Sequence, residues 1–110
     1  MPPTPFRYLS QEEQVALAAV ALGRALAGFK SYRATLKTRR LLDSVVPPYA
    51  QTAWDRLCFI RVLERLLGQV VVDDLGRSWL VLSLRRNSHD RTTVTLRRLD
   101  GVSGEWNSQL

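Results

Sequence analysis

The spacing of apolar residues changes at Gly68, and this change constrains the fold more than any other feature of the chain. Before Gly68, apolar side chains recur every three or four residues; after it, they alternate with polar ones. The first spacing is typical of helices that bury one face, and the second of strands in a half-buried sheet. The sequence therefore predicts an α+β domain, with three N-terminal helices followed by a small antiparallel β-sheet.

Local start and stop signals divide the first half into three helices. The predicted helices run over residues 11–28, over residues 31–44, and from Pro48 or Thr52 to Gly68. The first begins at a capping box, in which the Ser10 hydroxyl accepts a backbone N–H and Glu13 reaches back to the Ser10 amide. The second must end before the Pro-Pro pair at 47–48, because proline cannot continue a helix. Thr52 and Asp55 offer a second capping box.

The second half alternates between strands and turns. Strands are predicted over Gln69–Asp73, Trp79–Arg85 and Thr92–Leu99, with room for a last short strand around residues 102–106. Turn residues separate them at 73–76, 86–91 and 100–101. The Pro-rich start, residues 1–9, is expected to be a disordered or extended lead. Residues 10–106 then form one domain and residues 107–110 a tail.

This order of elements resembles the winged helix-turn-helix superfamily over residues 10 to 99. The chain departs from the superfamily in two places: the link Val46–Tyr49 has no glycine, and no strand is evident between the first two helices. The resemblance implies a DNA-binding domain in which the third helix reads the duplex and the second hairpin acts as a wing.

The first helix has apolar residues on more than one side. Val15, Leu22 and Leu26 form a core face, while Leu17 and Val20 lie opposite. Such a helix is expected to be covered all round. Either a second copy of the chain, in a homodimer through Leu17 and Val20, or the rest of the fold provides the second cover.

Charge and cysteine content restrict the class of protein. The 110 residues carry a net charge of +6, with sixteen Lys and Arg against ten Asp and Glu. This excess of cations favours a polyanionic partner. Cys58 is the one cysteine, so no intramolecular disulfide forms and a reducing compartment fits best. We expect a cytoplasmic protein that makes no membrane contact, since no apolar run is long enough to span a bilayer.

The sharpest charge pattern is formed by Lys30, Arg33, Lys37 and Arg40. On the predicted second helix their 3-4-3 spacing places four cations in one stripe without an acid. A solvated helix face usually mixes charges of both signs, because like charges three or four residues apart repel. The stripe therefore indicates a missing counter-charge, such as the phosphates of DNA.

The third helix has a mixed polar side. Gln51, Trp54, Asp55, Arg61 and Arg65 are expected to share it, opposite a core face that includes Leu57, Ile60 and Leu67. In a recognition helix, Gln51 and Trp54 would approach base edges, and Arg61 and Arg65 would hold phosphates. Alternatively, Trp54 packs under a loop or in a protein interface, and the two arginines pair with Asp55 or Glu64.

The second hairpin ends in a basic tip. Arg85, Arg86 and Arg91 flank its turn, and Arg97 and Arg98 extend the charge along the next strand. A cationic wing contacts a DNA backbone or a narrow minor groove. Alternatively, the charge protects an exposed strand edge from pairing with another chain.

Catalytic and metal sites are not indicated by the sequence. His89 is the one histidine, with no Cys or second His beside it and no placed nucleophile. The glycines are dispersed and form no phosphate-cradling loop. We therefore expect no enzyme activity, no metal and no cofactor.

The sequence thus predicts a small basic DNA-binding protein, a transcriptional regulator or a nucleic-acid-binding accessory factor, with duplex DNA as the favoured partner. Two alternatives remain. The first is a protein-protein interaction module that docks an acidic partner through Trp54, Arg61 and Arg65. The second is a small ribonuclease, although such folds usually open with a strand.

Overall fold

Three helices and four strands make up the part of the chain that the structure describes. The computed structural model describes residues 4–87 and 91–99. Helices α1, α2 and α3 and strands β1, β2, β3 and β4 are, in chain order, α1 Gln11–Ala27, β1 Arg33–Lys37, α2 Thr38–Val45, α3 Ala53–Arg65, β2 Val70–Val72, β3 Ser78–Asn87 and β4 Arg91–Arg98. Short 3-10 turns lie at Phe6–Tyr8 and Pro48–Ala50. The α+β class and the three strands after α3 are confirmed.

The predicted second helix is wrong over its first half. Residues 33–37 form strand β1, so strands and helices interleave, and only Thr38–Val45 are helical. Arg33, Thr35 and Lys37 are exposed, whereas Ala34 and Leu36 are buried. This alternation is a strand pattern, and β1 satisfies its backbone by pairing antiparallel with β4.

Within residues 4–87 and 91–99, helices pack on one face of the sheet only. Its strand order is β1-β4-β3-β2, all neighbours being antiparallel. Helix α1 packs on β2 and α2 packs on β4. The core lies between the two layers, with Trp79, Val81, Val94 and Leu96 facing Leu22, Leu26, Leu42 and Leu63.

An irregularity in β3 decides which of its residues face the helices. The register shifts between Val81 and Ser83, so Leu82 is the extra residue of a bulge. Without the shift, Arg85 would lie on the same face as Val81. With it, Leu84 packs against the core and Arg85 faces away from the helices.

The N-terminal lead is anchored in the fold. Phe6 is fully buried and meets the Phe59 ring edge-on at 5.6 Å between centroids. The Arg7 guanidinium lies 3.0 Å from Asp55 Oδ2, and the Arg7 backbone N–H donates to Asp55 Oδ1. Residues 6–9 are therefore part of the domain, in contrast to the expected disordered or extended lead.

Asp55 is fully buried, which corrects its predicted position on the exposed side of α3. It closes the capping box with Thr52 that the sequence predicts, so α3 begins at Ala53 rather than at Pro48. Burial alone would raise the pKa of Asp55. Hydrogen bonds from Arg7 and Thr52 outweigh burial and lower it.

A second buried carboxylate, Asp73, organises the turn between β2 and β3. Its Oδ2 accepts from Trp79 Nε1 at 2.9 Å and from Arg77 Nε at 2.7 Å, and its Oδ1 accepts from the backbone N–H groups of Leu75 and Arg77. Arg77 also donates to the carbonyl of Leu26 at the end of α1. The turn is thereby attached to α1.

Close approach of α1 and this turn leaves little space for a side chain at position 23. A Cβ atom on Gly23 would lie 3.2 Å from the carbonyl oxygen of Val72 and 3.1 Å from the carboxylate of Asp74. At Gly76 the reason is different, since its φ of +83° suits the turn and disfavours other residues.

None of the helices within residues 4–87 is both long enough and apolar enough to cross a lipid bilayer.

Phe6→Ala should destabilise the protein by about 3–5 kcal/mol, because it leaves a cavity against Phe59. Urea unfolding followed by circular dichroism measures the loss. Tyr8→Ala is the matched control, since Tyr8 is exposed, and it should cost less than about 1 kcal/mol. Similar losses in both variants would contradict an anchored lead.

Asp73→Asn should remove part of the acid sensitivity of the fold. Burial raises the pKa of Asp73, but the hydrogen bonds from Trp79 and Arg77 outweigh it and lower the pKa to about 2. Because the folded pKa lies below that of an unfolded Asp, about 3.9, this carboxylate contributes on the order of 2–3 kcal/mol above about pH 4. That contribution is lost as pH falls towards 2.

The free energy of unfolding, measured between neutral pH and pH 2, tests this expectation. The variant should be about 2–4 kcal/mol less stable at neutral pH and should lose less stability on acidification. Asp74→Asn, at the exposed neighbouring position, should keep the wild-type profile. An unchanged acid slope in Asp73→Asn would contradict the assignment.

Candidate nucleic-acid interface

The face of the sheet turned away from the helices concentrates exposed cations. Arg33 and Lys37 of β1, Arg97 of β4 and Arg85 of β3 lie on it. Hydroxyl side chains fill the space between them: Thr35, Ser83, Thr93 and Thr95. We call these eight residues the cationic sheet face.

Strand register places these side chains in rows across three strands. Lys37 pairs with Thr93, which pairs with Arg85. Thr35 pairs with Thr95, and their hydroxyl oxygens are 3.3 Å apart. Arg33 lies directly opposite Arg97, so two like charges face each other across neighbouring strands. Such a pair is unfavourable for folding, which indicates that this surface is not shaped by stability alone.

Acidic side chains of the described residues lie elsewhere. Asp55 and Asp73 are buried and paired with Arg7 and Arg77, the two ion pairs found within residues 4–87 and 91–99. Glu12 and Glu13 lie in the first turn of α1, Asp43 lies on α2, Glu64 lies near the end of α3, and Asp74 lies in the turn after β2. The cationic sheet face therefore has no carboxylate in the three rows of β1, β4 and β3.

The predicted helical stripe is wrong as a single surface. Arg33 and Lys37 lie on the cationic sheet face, but Lys30 is in the loop before β1 and Arg40 is on α2. Arg40 lines a cleft between α1, β1 and α2 together with Arg24 and Lys37. The stripe breaks because pairing of β1 with β4 buries Ala34 and Leu36, which a helix would place on different sides.

The predicted reading surface of α3 is only partly available. The Gln51 amide nitrogen donates to Asp43 Oδ1 at 2.7 Å and to the carbonyl of Val46 at 2.9 Å, so this side chain ties α2 to the segment before α3. Trp54 is 69% exposed, and Leu57, expected in the core, is 40% exposed. Arg61 and Arg65 are exposed, and Arg65 lies against Gln11 rather than pairing with Asp55 or Glu64.

The arginines of the β3–β4 hairpin face in different directions. Arg85 belongs to the cationic sheet face, whereas Arg86 lines a cleft between the hairpin and helices α2 and α3. Arg91 is exposed at the start of β4, and Arg98 lies over the Tyr32 ring at 4.2 Å. His89 and the rest of the turn at 88–90 lie outside the described residues, as does the last strand predicted around residues 102–106.

The two residues proposed for a dimer interface differ in exposure. Leu17 is half-buried against the core, and Val20 is 42% exposed. The rest of the fold thus covers part of the second apolar side of α1. The homodimer through these residues stays a prediction.

Sequence reasoning missed the four hydroxyl residues of the cationic sheet face. The signal for Thr35, the one on β1, was the strict polar-apolar alternation of Arg33 to Lys37, which the 3-4-3 spacing of the cations concealed. The described residues contain no group of three His, Cys, Asp or Glu side chains placed to hold a metal ion.

Comparison of the chain with models of protein families, with curated proteins and with solved structures finds no match.

Replacing Arg97 with threonine should stabilise the fold at low salt by a few tenths of a kcal/mol, about 0.2–0.5, because it removes the like charge opposite Arg33. The gain should shrink at high salt, where exposed charges are screened. Urea unfolding at low and high ionic strength measures both values.

Arg77→Thr is the comparison, because it leaves a buried carboxylate unpaired and should cost about 3–5 kcal/mol at either salt concentration. A salt-independent loss of stability in Arg97→Thr would show that Arg97 is held by an attractive contact rather than by repulsion.

Proposed function

We propose that this protein binds duplex DNA without catalysis, and that the cationic sheet face makes the main contacts with the phosphate backbone. The observation that carries this proposal is the convergence of Arg33, Lys37, Arg85 and Arg97 on one exposed surface whose rows hold no acid. Arginine donates two parallel hydrogen bonds to a phosphate, and the hydroxyl groups between the cations add further donors.

The size of the surface suits a DNA backbone. Residues 33 and 37 are four strand positions apart, about 13 Å, and β1 to β3 spans two strand spacings, about 10 Å. Nucleotides rise about 3.4 Å along one strand of a duplex, so several phosphates fall within reach. Four cations at this spacing can contact phosphates without deforming the duplex.

Side-chain chemistry favours a duplex over a single strand. Proteins that bind single-stranded nucleic acids usually stack exposed bases on aromatic side chains. Among the described residues of the cationic sheet face there is no aromatic ring. Contacts from cations and hydroxyl groups to phosphates are independent of base identity, so we expect weak sequence preference.

The order of elements supports a winged-helix version of this proposal. Strand β1 lies between α1 and α2, where the sequence analysis found no strand, and it pairs with β4 of the hairpin. In this version the β3–β4 hairpin adds a contact through Arg91, whereas Arg61 and Arg65 of α3 lie on the helical side of the sheet and take no part in duplex binding. The protein would then act as a transcriptional regulator or as a nucleic-acid-binding accessory factor, in the reducing cytoplasm that a lone cysteine fits.

A second candidate function is favoured by one observation on the helical side. Tyr49 is 87% exposed and Trp54 69% exposed, close together in the chain before and at the start of α3. Exposed aromatic residues beside Arg61 and Arg65 are typical of protein-docking surfaces. An acidic protein partner would bind there, away from the sheet.

Reversal of Arg33 and Lys37 to Glu should abolish binding to a random duplex, because it replaces two phosphate contacts by two repulsions. Fluorescence anisotropy over a range of salt concentrations is the measurement. With four contacts, log Kd should depend on log salt with a slope of magnitude about 3.6, or 0.9 for each phosphate contacted. Unfolding measurements should show little loss of stability, since both residues are exposed.

Arg61→Glu with Arg65→Glu is the matched control, because it makes the same change in net charge on α3. It should retain most duplex affinity and lose affinity for polyglutamate if the second candidate function holds. Equal loss of duplex binding in both variants would show that total charge, rather than the cationic sheet face, governs binding.

A further inference from the structure

A cleft on the opposite side of the sheet has a chemistry different from that of the cationic sheet face. It lies between the hairpin and helices α2 and α3 and encloses about 370 Å³. Its lining includes Arg39 of α2, Arg56 of α3 and Arg86 of β3. Three elements that are distant in the chain thus each contribute one arginine to the lining of the same cleft.

The polar groups of this cleft lack a counter-charge. No acidic residue is among the residues that line it, all of which are described. The Nε of Arg56 is buried and has no hydrogen-bond partner within residues 4–87 and 91–99. A buried donor without an acceptor is unfavourable, and more so when it is charged, so an anion that supplies an acceptor would stabilise this side chain.

The floor of the cleft is apolar. Leu42, Phe59 and Ile60 contribute to it, and Leu57 lies at its side. A bare phosphate ion would satisfy the arginines but would leave this surface in contact with water. Ligand pockets of proteins typically have volumes of about 300–1,000 Å³ and combine apolar walls with a few polar groups that orient the ligand.

We propose that this cleft binds a small organic anion, with its carboxylate or phosphate group on Arg39, Arg56 and Arg86 and its apolar body against Leu42 and Ile60. Guanidinium groups bind both head groups through paired hydrogen bonds. Burial of the apolar body gives the selectivity over inorganic anions. The ligand bridges the hairpin and the helices, and its binding does not depend on the proposed binding of DNA.

Isothermal titration calorimetry of the full chain with phenyl phosphate tests the proposal. Benzoate tests the other head group, inorganic phosphate carries the charge alone, and benzyl alcohol carries the ring alone. We expect phenyl phosphate, benzoate or both to bind at least tenfold more tightly than inorganic phosphate. Benzyl alcohol should bind more weakly than the aromatic anion that binds most tightly. The Nε–Hε NMR signal of Arg56 should shift on binding of the same anion.

Arg56→Met keeps an unbranched apolar side chain in this half-buried position and should weaken binding of that anion at least tenfold. Arg39→Gln should also weaken binding of that anion at least tenfold. Arg39 is exposed on α2, so loss of folding is not expected in this variant. Arg33→Gln with Arg97→Gln removes two cations from the cationic sheet face and should bind the ligand as the wild type does.

Two results would overturn the inference. One is equal affinity for inorganic phosphate and both aromatic anions, which would indicate attraction by net charge alone. The other is wild-type binding of the anions by Arg56→Met and Arg39→Gln. Duplex binding by these two variants is measured separately, so a failure here is distinguishable from a failure of the DNA-binding proposal.

Discussion

The carboxylate of Asp73 is the interaction on which the relative placement of sheet and helices depends. A buried charge is tolerated only when its lone pairs are satisfied, and here four donors from Leu75, Arg77 and Trp79 do so. Arg77 then reaches the end of α1, while the backbone of Asp74 meets that of Gly23. One turn therefore sets both the β2–β3 hairpin and its distance from the first helix.

The two buried carboxylates also determine which cations remain for function. Arg7 and Arg77 are each held by a buried aspartate and contribute to folding. Among the described residues, Arg33, Arg85 and Arg97 on the strands form no ion pair, and the bulge at Leu82 distributes the arginines of β3 to opposite faces. Because side chains alternate along a strand, one extra residue is enough to direct Arg85 away from the helices and Arg86 towards them.

As a consequence, the two faces of the β3–β4 hairpin suit anions of different shape. The cationic sheet face is broad, exposed and rich in hydroxyl groups, which suits the repeated phosphates of a duplex. The cleft on the helical side is narrow and has an apolar floor, which suits one anionic group attached to an apolar body. The excess of cations in the sequence is thus divided between two surfaces. The anion binding of each surface can be tested with its own variants.

The sequence by itself determined the features that depend on near neighbours in the chain: the caps of α1 and α3, the turn at Gly76 and the strands after Gly68. The conformation of residues 33–37 and the burial of Asp55 were decided only by tertiary structure. Arg33 to Lys37 fit a helical stripe of cations as well as a strand. The residues of β4 with which they pair lie about sixty positions further along the chain. Likewise, buried Asp55 is paired with Arg7, which lies forty-eight residues before it in the chain. Local patterns cannot choose between such alternatives, because the free energy that decides them comes from contacts between distant segments.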